Sequence, residues 1–263
     1  MRGLVIGVCF AVLCLGEMAC VSSKQVKKPI SLNQKYLLDF ARTRMARQKI
    51  KSLKGRADLA ISARTLNPSS QVSFSIQRDK LLRIYINLSF MLYKTFAIVT
   101  SNGKRMGLYQ KNNHRFTKGP SNRLIGYIRD LLHVPMAVEE LIPILLADLP
   151  PFQDKLMQAR AGKEKGIVVV LRKSDKGIQE VWLDVKNRRF VKVKIHRKGT
   201  PALWVTYKNY KGTPQMPQEI LFSIPDKSVQ VTWKFTGREI NATIPTSAFT
   251  QAPPKGAYIH TLY

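Results

Sequence analysis

The chain opens on an apolar run, Gly3 to Gly16, passes through a short polar stretch, and then alternates apolar and polar residues at two different periods. Arg2 precedes the run and the small residue Ala19 follows it, which is the tripartite order of an export signal. A spanning helix needs about 20 apolar residues, so a cleaved signal over residues 1–19 is expected rather than a membrane span. Beyond Ser31 the apolar residues Leu37, Leu38, Ala41 and Met45 recur at helical spacing behind a Ser31–Gln34 capping box, predicting a helix from about Leu32 to Leu53. Its opposite face carries Lys35, Arg42, Arg44, Arg47, Lys49 and Lys51, a pattern that suits either a solvated helix face or one laid against a membrane.

From Lys54 the period falls to two. Ala57, Leu59, Ile61 and Ala63 alternate with polar residues, as do Val72, Phe74 and Ile76, then Leu82, Ile84, Ile86 and Leu88. These are antiparallel strands with one dry face. Asn102-Gly103 and Asn112-Asn113 mark hairpin turns around a strand Arg105 to Gln110. Two helical stretches interrupt the meander. One carries Leu124, Ile125, Ile128, Leu131 and Leu132 behind a Ser121 or Asn122 cap, and the other runs from about Glu139 to Ala147 with Pro143 in or near its first turn. Six further alternating segments follow, from IVVVLRK to SVQVTWKF, for about eleven strands in all. The predicted class is mainly β (α+β): an antiparallel sheet that curls without closing, with the helices capping one face. A sheet that large and so sparsely covered leaves room for an apolar cavity, although a filled barrel or sandwich gives the same strand pattern.

Cysteine usage and charge change this picture. The three cysteines, Cys9, Cys14 and Cys20, all lie at the amino terminus, so the folded body holds no disulfide framework. Cys20 directly follows Ala19, the arrangement in which a lipoprotein thiol receives a diacylglyceryl group and becomes the new amino terminus, with residues 20–30 as an acylated tether. Glu17 departs from the aliphatic residue usual at that place, and an inert cysteine in an ordinary signal is the competing reading. Val21 stands where an Asp would retain a lipoprotein in the inner membrane, which favours the outer membrane. The net charge of +28 survives cleavage, because the signal removes one base, Arg2, and one acid, Glu17. Anionic partners follow. In an exported protein these are phospholipid headgroups, lipopolysaccharide phosphates and surface polymers rather than nucleic acid, for which no motif is present. A solvated surface that keeps the protein soluble accounts for the same charge.

Catalytic signatures are weak. His114, His133, His196 and His260 show no metal spacing, a nucleophile elbow is absent, and the 16 acidic residues are scattered. The sequence therefore predicts neither an enzyme nor a cofactor. One connection is unusual in being apolar: Phe90, Met91, Leu92 and Tyr93 stand between two strands where a polar turn belongs. Exposed, they suit insertion into lipid; alternatively, the strand runs on or they pack beneath a helix.

Cys20, the basic helix, RIYINLSFMLYKTFAIVTSNGKRM, LLHVPMAVEELIPILLADLP and VTYKNYKGTPQMPQEILFSIPDKSVQVTWKF, in that order, resemble the LolB-like lipoproteins of the LolA/LolB carrier superfamily. The resemblance covers most of the chain after Cys20, with a domain over 31–244 and a C-terminal tail, 245–263, that extends past the family's usual end. It implies an outer-membrane lipoprotein facing the periplasm. Such a protein works as a monomer without a cofactor, takes acyl chains of lipoproteins from a LolA-like carrier, and inserts cargo with an apolar loop that falls on Ser89 to Lys94. Leu59, Ile61, Phe74, Ile84, Ile86, Trp182, Trp204 and Trp233 are candidates to line the cavity or fill the core. A carrier of another anionic lipid, and a structural lipoprotein that binds a surface polyanion, are the alternatives.

Overall fold

In the computed structural model the described residues are Asp39 and the ranges 50–63, 69–78, 81–90, 93–150, 156–175 and 177–263, all within the unit Leu32–Tyr263. The predicted export signal, Cys20 and the predicted tether lie outside them. So does nearly all of the predicted N-terminal helix, of which Asp39 is described and is helical. That helix was expected to reach Leu53, but Ser52 and Leu53 already belong to a strand. Leu53 is fully buried there, opposite Ile76 in register, so the strand begins before Lys54.

Fourteen strands form one sheet, three more than the sequence predicts. The first meander comprises β1 (Ser52–Ser62), β2 (Ser69–Gln77), β3 (Leu81–Phe90), β4 (Tyr93–Asn102), β5 (Arg105–Gln110) and β6 (Arg115–Pro120). The second comprises β7 (Leu156–Ala161), β8 (Ile167–Ser174), β9 (Gly177–Asp184), β10 (Arg189–Arg197), β11 (Leu203–Lys211), β12 (Met216–Ile224) and β13 (Val229–Ile240). Antiparallel pairing of β1 with β13 joins the two. A short β14 (Tyr258–Thr261) lies parallel to β6, and the sheet ends at β14 on one side and β7 on the other, unclosed.

Because β6 and β7 lie toward opposite ends of the sheet, the chain between them must cross it. Helices α1 (Ser121–Leu132) and α2 (Val138–Leu145) lie on that crossing. Both are amphipathic, and Leu124, Leu132, Val138, Leu141, Ile142, Ile144 and Leu145 join the main core cluster with the inner residues of the strands. The predicted cap of α1 is corrected: Pro120 holds the cap position and no side chain caps the helix. In α2 the Ala137 amide donates to Glu140 Oε2 at 3.1 Å, which is half of a capping box. Pro143 sits past the first turn and removes one internal hydrogen bond, and the helix ends two residues later. Two ion pairs tie this crossing to the sheet. Arg197 of β10 meets Glu140, and Arg78, just after β2, meets Asp148 at 2.5 Å.

The C-terminal tail is part of the same sheet. Asn241 and Ala242 bond to β1 through Ser52, and the Arg83 guanidinium of β3 donates to the Ala248 carbonyl at 2.9 Å. A 3₁₀ turn, Thr246–Phe249, then buries Phe249 on the outer face, and the chain reaches β14 beyond β6. This course accompanies a small second core of Ile98, Tyr109 and Phe116 on the outer face, against which Ala257 of the tail packs.

Candidate functional site

Three places bear on function: the apolar inner face, the β3–β4 connection and the outer face of β8–β12. The inner face is built by alternation. Leu59 stands opposite Trp233, Trp233 opposite Ile220, and Ile220 opposite Tyr207, a row across β1, β13, β12 and β11. A second row runs from Val72 through Ile86 to Ala97. Phe74, opposite Ile84, sets its ring edge-on to Phe235 at 5.6 Å and tilted against Trp233 at 6.4 Å. Leu59, Ile61, Phe74, Ile84, Ile86 and Trp233 all belong to the one buried cluster, each at most 3 % exposed. Full burial of side chains of this size contributes about 1.5–3 kcal/mol each. The chemistry of this face is therefore that of hydrocarbon, with few polar interruptions. Tyr207 is one of them: burial holds its phenol well above the ordinary value, so it stays neutral and donates to the Asp148 carbonyl at 3.3 Å.

Two of the eight cavity candidates are elsewhere. Trp182 and Trp204 lie on the outer face, half-buried and outside the core cluster, because both fall at the opposite parity to Val181, Leu183, Leu203 and Val205. Register explains their surroundings. Trp182 of β9 stands opposite Lys192 of β10, and Lys194, two residues on, stands opposite Trp204 of β11. The Lys192 ammonium sits 4.1 Å from the centroid of Trp204 and 5.9 Å from that of Trp182, and the Lys194 ammonium 4.6 and 5.2 Å from the same rings. Burial, and then the neighbouring Lys194 charge, lower the pKa of Lys192 against the opposing pull of Glu180. The alternating lysines of FVKVKIH between two tryptophan-bearing strands are the signal that would have revealed this group in the sequence.

At the β3–β4 connection the ladder continues to its end, where Phe90 pairs with Tyr93. Met91 and Leu92 lie outside the described residues. The backbone thus forms a hairpin that closes within two residues, and four large apolar residues occupy its tip in the sequence. On the other half of the outer face a cavity of about 290 Å³ lies between β4–β6 and the tail, lined by Thr100, Arg105, Phe116, Lys118, Phe249 and Gln251. Among the described residues no helix is long and apolar enough to cross a membrane, and no group of three or more metal-ligating side chains occurs.

No protein-family model matches the sequence, and no curated protein does so either. Solved structures do match the fold. A domain described as an outer membrane lipoprotein-sorting protein from Vibrio parahaemolyticus aligns with a TM-score of 0.54 at 13% identity, over 82% of this chain and 96% of its own. A DUF1329 family protein from Desulfovibrio piger gives 0.56 at 11% identity over 82% and 96%. A LolA superfamily protein from Nitrosomonas europaea gives 0.53 at 12% identity over 84% and 99%. The likeness spans nearly the whole of each of these structures, so the large unclosed sheet of this chain shares the fold of these three proteins, a LolA-like fold.

Proposed function

We propose that the chain is a lipid-handling lipoprotein of the outer membrane, anchored through Cys20 and facing the periplasm. It receives the acyl chains of lipoproteins from a LolA-like carrier and assists their insertion into the membrane. The observation that carries this reading is the apolar inner face, a buried and largely hydrocarbon layer across an unclosed sheet with a helix pair packed on it. Acyl chains need such a surface and no directed chemistry. The β3–β4 hairpin, with Phe90 to Tyr93 at its end, supplies an apolar tip for delivery. A carrier of another anionic lipid is the second reading, favoured by the +28 charge and by Lys192 and Lys194, set side by side against Trp182 and Trp204.

The test is mass spectrometry of lipid and acylated protein that copurify with the mature chain, together with transfer of an acylated lipoprotein from a carrier to vesicles. Lipoprotein acyl chains in the purified material and transfer in the assay support the first reading. Glycerophospholipid or lipopolysaccharide without transfer supports the second. A chain free of lipid in both assays removes both.

A further inference from the structure

We infer that the outer face of β8–β11, centred on Trp182, Lys192, Lys194 and Trp204, is a docking surface for the anionic headgroup layer of a phospholipid bilayer. Its composition is what such a layer selects. Two indoles, apolar bodies with a polar edge, flank two ammonium groups on one open sheet face. Indole and ammonium are the pair that settles at the level of headgroups, with rings among the glycerol groups and cations at the phosphates. Around them the same face carries Leu171 and Leu221, half-buried, and Ile178, which is 37 % exposed. A site for free phosphate would have no use for that apolar rim.

Charge on this face points the same way. Two of its carboxylates are paired elsewhere, Asp184 with Arg189 and Glu219 with Lys208, and the third, Glu180, stands opposite Lys194 and 4.0 Å from His196. Lys192 and Lys194 share that one carboxylate, Glu180, and both ammonium groups also lie against the two indole rings; exposed Arg160 and Lys173 fall on the same face by register, so cations outnumber acids there. Two like charges held between the same two rings repel each other, and a phosphate layer relieves that repulsion. The surface is distinct from the β3–β4 hairpin and from the inner face, so the inference rests on the envelope setting of the proposed function and not on its cargo.

The experiment uses the non-acylated chain beginning after Cys20, with vesicles of phosphatidylcholine alone or with added phosphatidylglycerol, and inorganic phosphate as the soluble probe. Trp233 is fully buried, so changes in tryptophan emission report Trp182 and Trp204. The expected result is a blue shift with the anionic vesicles alone, and binding weakened about fivefold by K192Q or K194Q and about 25-fold by both. The control K227Q/K255Q removes the same charge from exposed positions elsewhere and leaves the affinity nearly unchanged. An equal loss in that control, an emission change with inorganic phosphate alone, or tighter binding to single-stranded nucleic acid than to the vesicles overturns the proposal. Copurified acyl chains retained by K192Q/K194Q show the cargo reading intact whatever the vesicles do, so the two can fail separately.

Discussion

At the scale of single residues, polar groups are placed where the sheet turns, and one of them sets a pH dependence. Asp184 closes the β9–β10 hairpin, accepting from the Asn187 amide at 3.1 Å, from Asn187 Nδ2 at 2.7 Å and from Arg189 Nε at 3.2 Å. Burial pushes its pKa up, but these hydrogen bonds and the Arg189 charge outweigh burial and leave it below the ordinary 3.8. A carboxyl depressed by folding contributes stability that is present above its unfolded value and lost as pH falls through its folded one. Wild-type stability should therefore decline below about pH 4 more steeply than that of Asp184→Asn, in urea titrations across that range. Parallel curves would show that the hairpin does not depend on this charge. Lys192 has the opposite character. Its pKa is lowered by burial and by Lys194, so the folded state opposes its charge near neutrality, and Lys192→Gln should raise the unfolding midpoint slightly while weakening vesicle binding.

At the scale of elements, strands with a clean period of two were readable and strands that depend on their neighbours were not. The sequence predicts β5 at its observed bounds, because Asn102-Gly103 and Asn112-Asn113 bracket it. Three strands it misses have physical reasons. β6 is six residues ending in Gly-Pro; β7, LMQARA, is made of good helix formers; and β14 has four residues that pair only because the tail delivers them to β6. Likewise Trp182 and Trp204 looked like core from residue type, and only the parity set by Val181 and Val205 places them outside. The tail's dependence on β6 is testable at Gly119, where a Cβ would stand 2.8 Å from Leu262 Cβ and 2.9 Å from the Leu262 carbonyl oxygen. Gly119→Ala should push β14 off β6 and cost about 1–3 kcal/mol, with faster exchange of the Leu262 amide, which bonds to Lys118 at 2.8 Å. Gly126→Ala, on a helix with nothing within 4 Å, should instead gain up to about 1 kcal/mol. The β3–β4 hairpin gives a third test. Leu92→Glu should leave the unfolding midpoint unchanged while lipoprotein transfer fails; a large drop in midpoint would place the residue in the core and end its insertion role.

Over the whole molecule the two faces of one sheet differ in chemistry, hydrocarbon within and more charge without, and the ligands proposed for them should act on stability in different ways. The inner face joins residues of both meanders and both helices in a single core, so an acyl chain bound there touches the groups whose exposure defines unfolding. Any ligand that binds only the folded chain stabilises it by mass action, about 2.7 kcal/mol at a hundredfold excess over Kd. For a chain of this length each kcal/mol moves the midpoint by about 2–4 °C, so saturating lipoprotein acyl chains should raise it by several degrees. The rise should persist at high salt, because apolar burial is not screened. An anionic vesicle on the Lys192–Lys194 face should also raise the midpoint, but less, and that rise should vanish as the Debye length falls from about 8 Å at physiological salt toward about 3 Å at 1 M. Calorimetry of one preparation with each ligand, at low and high salt, separates the two. A salt-insensitive rise with vesicles would assign membrane binding to apolar residues such as the β3–β4 hairpin. A salt-sensitive rise with the acylated lipoprotein would mean that charged groups of its polypeptide, and not its acyl tails, are held, and the inner face would then be a filled core.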